Sequence, residues 1–118
     1  MLKTKYGFTM IELLVVVSLI AILIGAVIVS MNNARLKAQL ASFKSETRGS
    51  LAGLAVKCVS AALVAPADTT YTNWGVLTVN NCASGNGRFS ITAVPANAAL
   101  SCTATVTESG VKYAGAGC

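Results

Sequence analysis

The 118-residue chain contains no histidine and only four acidic residues. Histidine is the usual acid–base group near neutral pH and a common zinc ligand, so its absence removes the commonest catalytic and zinc-binding arrangements. The acidic residues are scattered in sequence: Glu12, Glu46, Asp68 and Glu108. No glycine-rich phosphate-binding loop is present. We therefore expect a protein that is not an enzyme and that holds no cofactor or metal.

Charge is also missing from one long stretch near the N-terminus. The run Leu13 to Met31 contains no charged residue. As a helix it would span roughly 29 Å, close to the hydrocarbon thickness of a bilayer. Glu12 stands directly before this run. An unpaired carboxylate that enters lipid costs a few kcal/mol or more, so we expect Glu12 to have a partner.

The residues before the apolar run distinguish between kinds of membrane segment. Lys3 and Lys5 precede a Gly7-Phe8 junction. A secretory signal carries its cleavage site after the apolar run, and a plain anchor does not account for Glu12. The sequence Lys5-Tyr6-Gly7-Phe8-Thr9-Met10-Ile11-Glu12-Leu13-Leu14 resembles the processing motif of type IV prepilins and pseudopilins.

This resemblance implies a set of processing and assembly residues. In that family a prepilin peptidase cuts after the glycine, here Gly7, and the new N-terminal residue, here Phe8, is N-methylated. The carboxylate that corresponds to Glu12 meets the N-terminal amine of a neighbouring subunit. The implied organisation has three parts: a leader at 1–7, a transmembrane and filament-core helix at 8–31, and a head at 32–118.

The resemblance also implies partners and a location. The subunit starts as a single-pass protein of the cytoplasmic membrane with its N-terminus inside, and it ends in an extracellular pilus. Assembly requires a platform and a motor, since nothing in the chain is expected to bind ATP. The net charge is +5, and loss of Lys3 and Lys5 leaves +3. Such a balance permits contact with nucleic acid without indicating it.

Apolar residues continue at helical spacing beyond the charge-free run. They form one stripe of a helix, with Thr47 in its gap: Leu36, Leu40, Phe43, Leu51, Leu54 and Cys58. We predict an amphipathic extension that continues the first helix and ends near Val64, before Pro66. Gly49 and Gly53 have the spacing of a helix-packing motif, or they merely weaken the helix.

The remaining sequence favours an antiparallel sheet. Residues 88–94 and 100–107 alternate between apolar and polar side chains, which predicts two strands. Residues 74–79 form a strand or a loop. Ser109-Gly110 is a plausible hairpin turn, after which the chain returns through 111–114. An apolar sheet face would cover the helical stripe. The predicted fold class is α+β: a long N-terminal helix packed against a small antiparallel β-sheet, the lollipop of type IV pilins.

Four cysteines follow the apolar run: Cys58, Cys82, Cys102 and Cys118. Their even number and position predict two disulfides in an oxidising, non-cytoplasmic space. A zinc site fits poorly because no two cysteines are close in sequence.

Four cysteines allow three connectivities, and the expected hairpin selects among them. A Ser109-Gly110 turn places Cys102 opposite Gly117, next to the last residue. We predict the pairs Cys58–Cys82 and Cys102–Cys118. The alternative is that Cys102 points toward the helix and meets Cys58.

Each of four further side chains allows two interpretations of its role. Tyr71 and Trp74 either pin the loop after Pro66 to the core or form an exposed adhesive surface. Lys112 and Tyr113 contact a surface or lie on a solvated strand edge.

The favoured function is a structural subunit of a type IV pilus-like surface filament. The alternatives are a pseudopilin of a type II secretion or DNA-uptake machine, and a monomeric membrane-anchored binding module.

Overall fold

The computed structural model describes residues 5–83 and 86–118 and shows an α+β fold. One helix, α1, is followed by four strands in a single antiparallel sheet of order β1-β2-β3-β4. Their bounds are Met10–Ser60 for α1, Thr72–Asn81 for β1, Arg88–Pro95 for β2, Thr103–Thr107 for β3 and Gly110–Ala114 for β4. The predicted fold class, a long N-terminal helix with a small antiparallel sheet, is confirmed.

The chain divides into two compact units, Met1–Arg35 and Leu36–Cys118, and α1 contributes to both. In the second unit the helix lays its predicted stripe against the sheet. Phe43, Thr47, Leu54 and Cys58 are its buried residues. They meet alternating residues of β2 and β3, all buried: Phe89, Ile91, Ala93, Ala104 and Val106. The residues on one face of α1, which recur every three or four positions, thus pack against the alternate residues of β2 and β3 to form one core.

Thr47 is the polar member of this stripe, and its buried hydroxyl has hydrogen-bond partners on both the helix and β4. Its hydroxyl lies 3.0 Å from the Phe43 carbonyl oxygen and 2.8 Å from the Tyr113 hydroxyl. Tyr113 also donates to the Lys44 carbonyl oxygen at 3.1 Å, and its ring packs edge-on against Phe43. A buried hydroxyl without a partner would cost about 1–3 kcal/mol. The pair Thr47–Tyr113 therefore joins β4 to the helix.

The helix ends four residues earlier than the predicted Val64. Its last turn closes with the Ala61 N–H donating to the Lys57 carbonyl oxygen at 3.0 Å. Leu63 then leaves the helical path because the Asn80 side chain binds both of its backbone groups, at 3.2 and 2.9 Å. This contact with β1 ends the helix before Pro66 does.

The β3–β4 hairpin differs by two residues from the predicted register. The turn residues are Glu108 and Ser109, and Thr107 pairs with Gly110. Gly110 has a positive φ of 142°, a conformation that glycine tolerates best. A two-residue shift keeps each side chain on its face, so the burial pattern holds although the turn was misplaced. The third strand also begins at Thr103, later than the predicted start at residue 100.

The turn carboxylate of Glu108 fastens the hairpin to β2. It accepts a hydrogen bond from the Phe89 N–H at 3.2 Å and pairs with Arg88 at 3.3 Å. Backbone N–H groups, its own and then that of Phe89, hold the pKa of Glu108 below its ordinary value, with help from Arg88. A depressed folded-state pKa stabilises the fold above the unfolded pKa and loses this effect as pH falls through the folded value.

We expect Glu108→Gln to make stability less dependent on pH in the acid range, below about pH 4.5, where the unfolded carboxyl titrates. The change is small because the carboxylate is solvated. Urea unfolding of wild type and variant from pH 7 to pH 3 measures it. Parallel pH profiles would contradict the assignment.

Candidate functional site

The predicted cleavage junction is fully accessible. Lys5 to Thr9 precede α1 and are exposed, and Phe8 is 86% exposed. A Cβ added at Gly7 would meet nothing within 4 Å. The peptide bond after Gly7 is therefore open to an enzyme. Lys3, part of the predicted leader, lies outside the described residues.

Glu12 lies in the first turn of α1, where it forms a capping box with Thr9. The Thr9 N–H donates to Glu12 Oε2 at 3.0 Å, and the Glu12 N–H donates to Thr9 Oγ1 at 3.3 Å. Two of the backbone donors that lack partners at the helix start are thereby satisfied. The Leu13 N–H donates to the Thr9 carbonyl oxygen, so Thr9 is the cap residue and the helix begins after it.

The sequence reasoning missed this arrangement, although the signal was present. Thr9-Met10-Ile11-Glu12 is a threonine followed three residues later by glutamate, ahead of an apolar run. The expected helix start at Phe8 is two residues early for the same reason. Every atom of the capping box follows Gly7, so cleavage there leaves the box intact. Glu12 Oε1 accepts no hydrogen bond from the part of the chain that the structure describes.

The apolar run of α1 has no protein partner within its own unit. Every residue from Leu13 to Met31 is exposed, and this helix is long and apolar enough to cross a membrane. The Ser18 hydroxyl donates to the Leu14 carbonyl oxygen at 2.8 Å, so the helix satisfies this side chain internally. An exposed apolar surface of this length is typical of segments that contact lipid or other proteins.

The helix is continuous through Gly25 and Val29. Gly49 and Gly53 lie on an exposed part of the helix, and a Cβ added at any of the three glycines would meet nothing within 4 Å. The sheet therefore does not require these glycines.

Both disulfides of the structure join the cysteines that the sequence analysis pairs: Cys58–Cys82 and Cys102–Cys118. The first ties the end of α1 to the segment after β1, and the Ala83 N–H also donates to the Cys58 carbonyl oxygen at 3.0 Å. The second closes the C-terminal turn. No cysteine is free among the described residues.

The route to Cys118 differs from the predicted one. The observed register stops at the pair Thr103–Ala114, so Cys118 is too far along the chain for a direct cross-strand bridge. A turn brings it back, with the Gly117 N–H donating to the Ser101 carbonyl oxygen at 2.9 Å. Gly115 has a φ of 127°, and a side chain there would run into Ser101. These contacts bring Cys118 to Cys102, and the strand register predicted from the Ser109-Gly110 turn does not.

The structure shows a distinct environment for each of the four side chains that the sequence left with two interpretations. Trp74 is half-buried and packs against both core clusters, whereas Tyr71 is 41% exposed. Tyr113 is not a solvated edge residue, because it binds Thr47 and lies beneath two cations, Lys44 and Arg48, at 5.3 and 5.6 Å from its ring centre. Lys112 is exposed.

The acidic side chains of the second unit serve the fold. Glu46 accepts hydrogen bonds from Thr69 and Thr72, and Asp68 accepts one from the Trp74 N–H at 2.7 Å. Within residues 5–83 and 86–118, no group of three or more cysteine or acidic side chains could hold a metal ion.

Comparison with known proteins identifies the N-terminal segment. Residues 2–28 match the family described as the prokaryotic N-terminal methylation motif. No curated protein and no solved structure matches the chain. The matched residues include Gly7, Phe8 and Glu12, together with most of the exposed apolar run. Residues 2–28 are thus identified as a class III prepilin-like N-terminal segment, of the kind found in type IV pilins and pseudopilins.

Proposed function

We propose that the protein is a non-enzymatic structural subunit of a type IV pilus-like surface filament. The observation that carries this proposal is the motif at residues 2–28, joined to an apolar helix with no partner of its own. The subunit is anchored in the cytoplasmic membrane before assembly and lies on the cell surface afterwards. Its proposed partners are a prepilin peptidase, an assembly platform with its motor, and further copies of the chain.

In the proposed assembly, the apolar run moves from the lipid of the membrane to the core of the fibre. Both surroundings are apolar, so the exposed side chains of 13–31 keep the same kind of neighbour. The hydrocarbon interior gives little hydrophobic preference for helix over lipid, and packing and polar contacts therefore decide association. Glu12 is the only charged side chain between Phe8 and Ala34, so it is the side chain placed to provide a charged contact there.

The proposed contact joins Glu12 to the N-terminal amine of Phe8 on a neighbouring subunit. The amine becomes available only when the leader is removed. The capping box occupies Glu12 Oε2, which leaves Oε1 to accept the amine. A carboxylate can therefore keep the start of its own helix in order while it pairs with another chain.

Electron microscopy of cells with and without the chain tests this function. We expect long surface filaments that contain the chain and are absent from the deletion strain. Short periplasmic assemblies with impaired secretion or DNA uptake would favour the pseudopilin alternative. A monodisperse membrane monomer at native expression would favour the anchored binding module and contradict both.

Processing can be tested separately. The mature protein is expected to begin at Phe8 with one added methyl group, as measured by intact mass. Gly7→Arg should leave the precursor uncut, and misfolding cannot explain such a result because nothing lies within 4 Å of a Cβ at that position. Tyr6→Phe, one residue earlier and 92% exposed, is the matched control and should be cut normally. Assembled material that retains the leader would refute the prediction.

A further inference from the structure

We propose that a small pocket in the second unit, here called the loop-end pocket, binds a neutral pyranose sugar. Its walls are the helix residue Gln39, Thr70 and Tyr71 before β1, and Pro95, Asn97 and Leu100 at and after the end of β2. Its volume is about 210 Å³. Pockets for drug-sized ligands occupy roughly 300–1,000 Å³, so this one suits a single small ring.

The lining combines an apolar wall with neutral polar groups. Tyr71, Pro95 and Leu100 provide the apolar part, and Tyr71 keeps 41% of its surface exposed. Gln39, Asn97 and Thr70 provide two amides and a hydroxyl. A pyranose has a matching division, with C–H groups on its ring faces and hydroxyls around its rim. The negative face of an aromatic ring attracts the weakly positive C–H groups.

The amides retain hydrogen-bonding capacity for a ligand. Asn97 Nδ2 donates to Gln39 Oε1 at 2.7 Å, and Asn97 Oδ1 accepts from the Ala99 N–H at 2.9 Å. Neither hydrogen on the Gln39 amide nitrogen is donated within the described part of the chain, and the Thr70 hydroxyl has no partner there either. Each amide group can make up to four hydrogen bonds, so donors and acceptors both remain for sugar hydroxyls.

The absence of charge in the lining selects against ionic ligands. None of the lining residues is acidic or basic. Glu46, an acid of the same loop network, already accepts hydrogen bonds from the hydroxyls of Thr69 and Thr72, both at 2.6 Å on Oε2. A buried anion or cation in the pocket would lack a counter-charge, whereas neutral hydroxyls find partners. This favours a neutral sugar over a uronic or sialic acid.

The pocket walls are held in place before any ligand binds. Glu46 clamps Thr69 and Thr72, the two residues that flank Thr70 and Tyr71. The Ala96 N–H donates to the Tyr71 carbonyl oxygen at 3.0 Å, which ties the two loops together. The Gln39–Asn97 bond fastens the second loop to α1. Walls that are already ordered lose little freedom on binding, which favours affinity for a small ligand.

Saturation-transfer NMR on the full mature chain in detergent tests the proposal. The probes are the methyl pyranosides of glucose, galactose, mannose and N-acetylglucosamine, with glucuronate as a charged comparison. We expect transfer to the ring C–H protons of at least one neutral pyranoside, with a Kd on the order of millimolar for so small a ligand. No transfer to any neutral pyranoside, or transfer to glucuronate alone, would overturn the proposal.

Variants then locate the binding site. Tyr71→Ala should weaken binding by about tenfold or more, and Tyr71→Phe should retain most of it because the ring persists. Val76→Ala is the matched control, since Val76 is 81% exposed on the strand that follows and does not line the pocket. If Tyr71→Ala fails to form the native disulfides, Gln39→Leu on the helix decides in its place. If a correctly folded pocket variant, Tyr71→Ala or Gln39→Leu, still binds the sugar as the wild type does, the proposal is also overturned.

The ligand can be a free sugar or the terminal residue of a glycan. Binding of detergent-solubilised chain to glycans immobilised on a surface distinguishes these sources. Capture by a glycan that ends in the preferred pyranose supports a glycan receptor, and binding of the free sugar alone supports a soluble ligand. Neither measurement requires filaments, so this proposal and the filament function can fail independently.

Discussion

Replacing Glu12 by glutamine should abolish surface filaments while the head stays folded and oxidised. Glutamine preserves the shape of the side chain and can take the place of glutamate in the capping box with Thr9. It removes the charge that the proposed contact with a neighbouring amine requires. An amine left without its counter-ion inside an apolar fibre costs about 3–5 kcal/mol at each subunit contact. The variant should accumulate in the membrane, as measured by fractionation and electron microscopy.

Two further variants separate assembly from helix capping. Thr9→Ala removes the cap but keeps the carboxylate, and it should weaken the start of the helix by about 0.5–2 kcal/mol without eliminating filaments. Glu12→Ala removes the carboxylate and its half of the capping box, and it should resemble the glutamine variant in lacking filaments. If capping alone mattered, Glu12→Gln would form normal filaments and Thr9→Ala would not. That pattern, at matched expression, would refute the assembly role of Glu12.

Removing the Cys58–Cys82 disulfide should produce the largest loss of stability in the second unit. Closure of its 24-residue separation contributes about 3.5 kcal/mol in the chain-entropy description. Both cysteines are also buried in the main core cluster beside Phe89 and Leu54. Cys58→Ala with Cys82→Ala therefore loses packing in addition to the bridge. Urea unfolding of the full chain in detergent, followed by the fluorescence of the half-buried Trp74, measures the effect.

The second disulfide is the natural comparison. Cys102–Cys118 closes a shorter separation of 16 residues and contributes about 3 kcal/mol by the same reasoning. Cys118 is exposed, so its removal leaves a smaller packing defect than removal of Cys58 or Cys82. We expect the order of stability to be wild type, then the variant lacking Cys102–Cys118, then the variant lacking Cys58–Cys82. An equal or reversed loss would show that the core cluster does not depend on the first bridge.

Periodicity in the sequence was sufficient to predict the helix, β2, β3 and their buried faces, but it left β1 open as a strand or a loop. The stripe through Phe43, Leu54 and Cys58 follows the helical period, and β2 and β3 follow the period of a strand. These patterns are local, because each depends only on which residues of one element face the same way. The N-terminal segment could be recognised for a similar reason. Gly7, Phe8 and Glu12 are close in sequence, so their spacing carries the chemical meaning without any tertiary contact.

The features that the sequence did not predict depend on contacts between distant residues. Helix α1 ends at Ser60 because Asn80 binds Leu63, and no local signal marks that position. The Cys102–Cys118 bridge needs a turn that packs on Ser101, which a count of strand residues cannot reveal. Tyr113 acquires its role only when β4 brings it to Thr47.

The sequence by itself determined the N-terminal methylation motif, the apolar helix, the α+β class and the buried faces, since each rests on local order and side-chain period. The tertiary structure alone decided the hairpin register, the end of the helix and the loop-end pocket. That pocket joins Gln39 to loops that are more than thirty residues away along the chain. Such a pocket exists only because hydrogen bonds to Glu46 and Gln39, both on the helix, hold the two loops against it. Long-range contacts of this kind leave no periodic trace in a sequence.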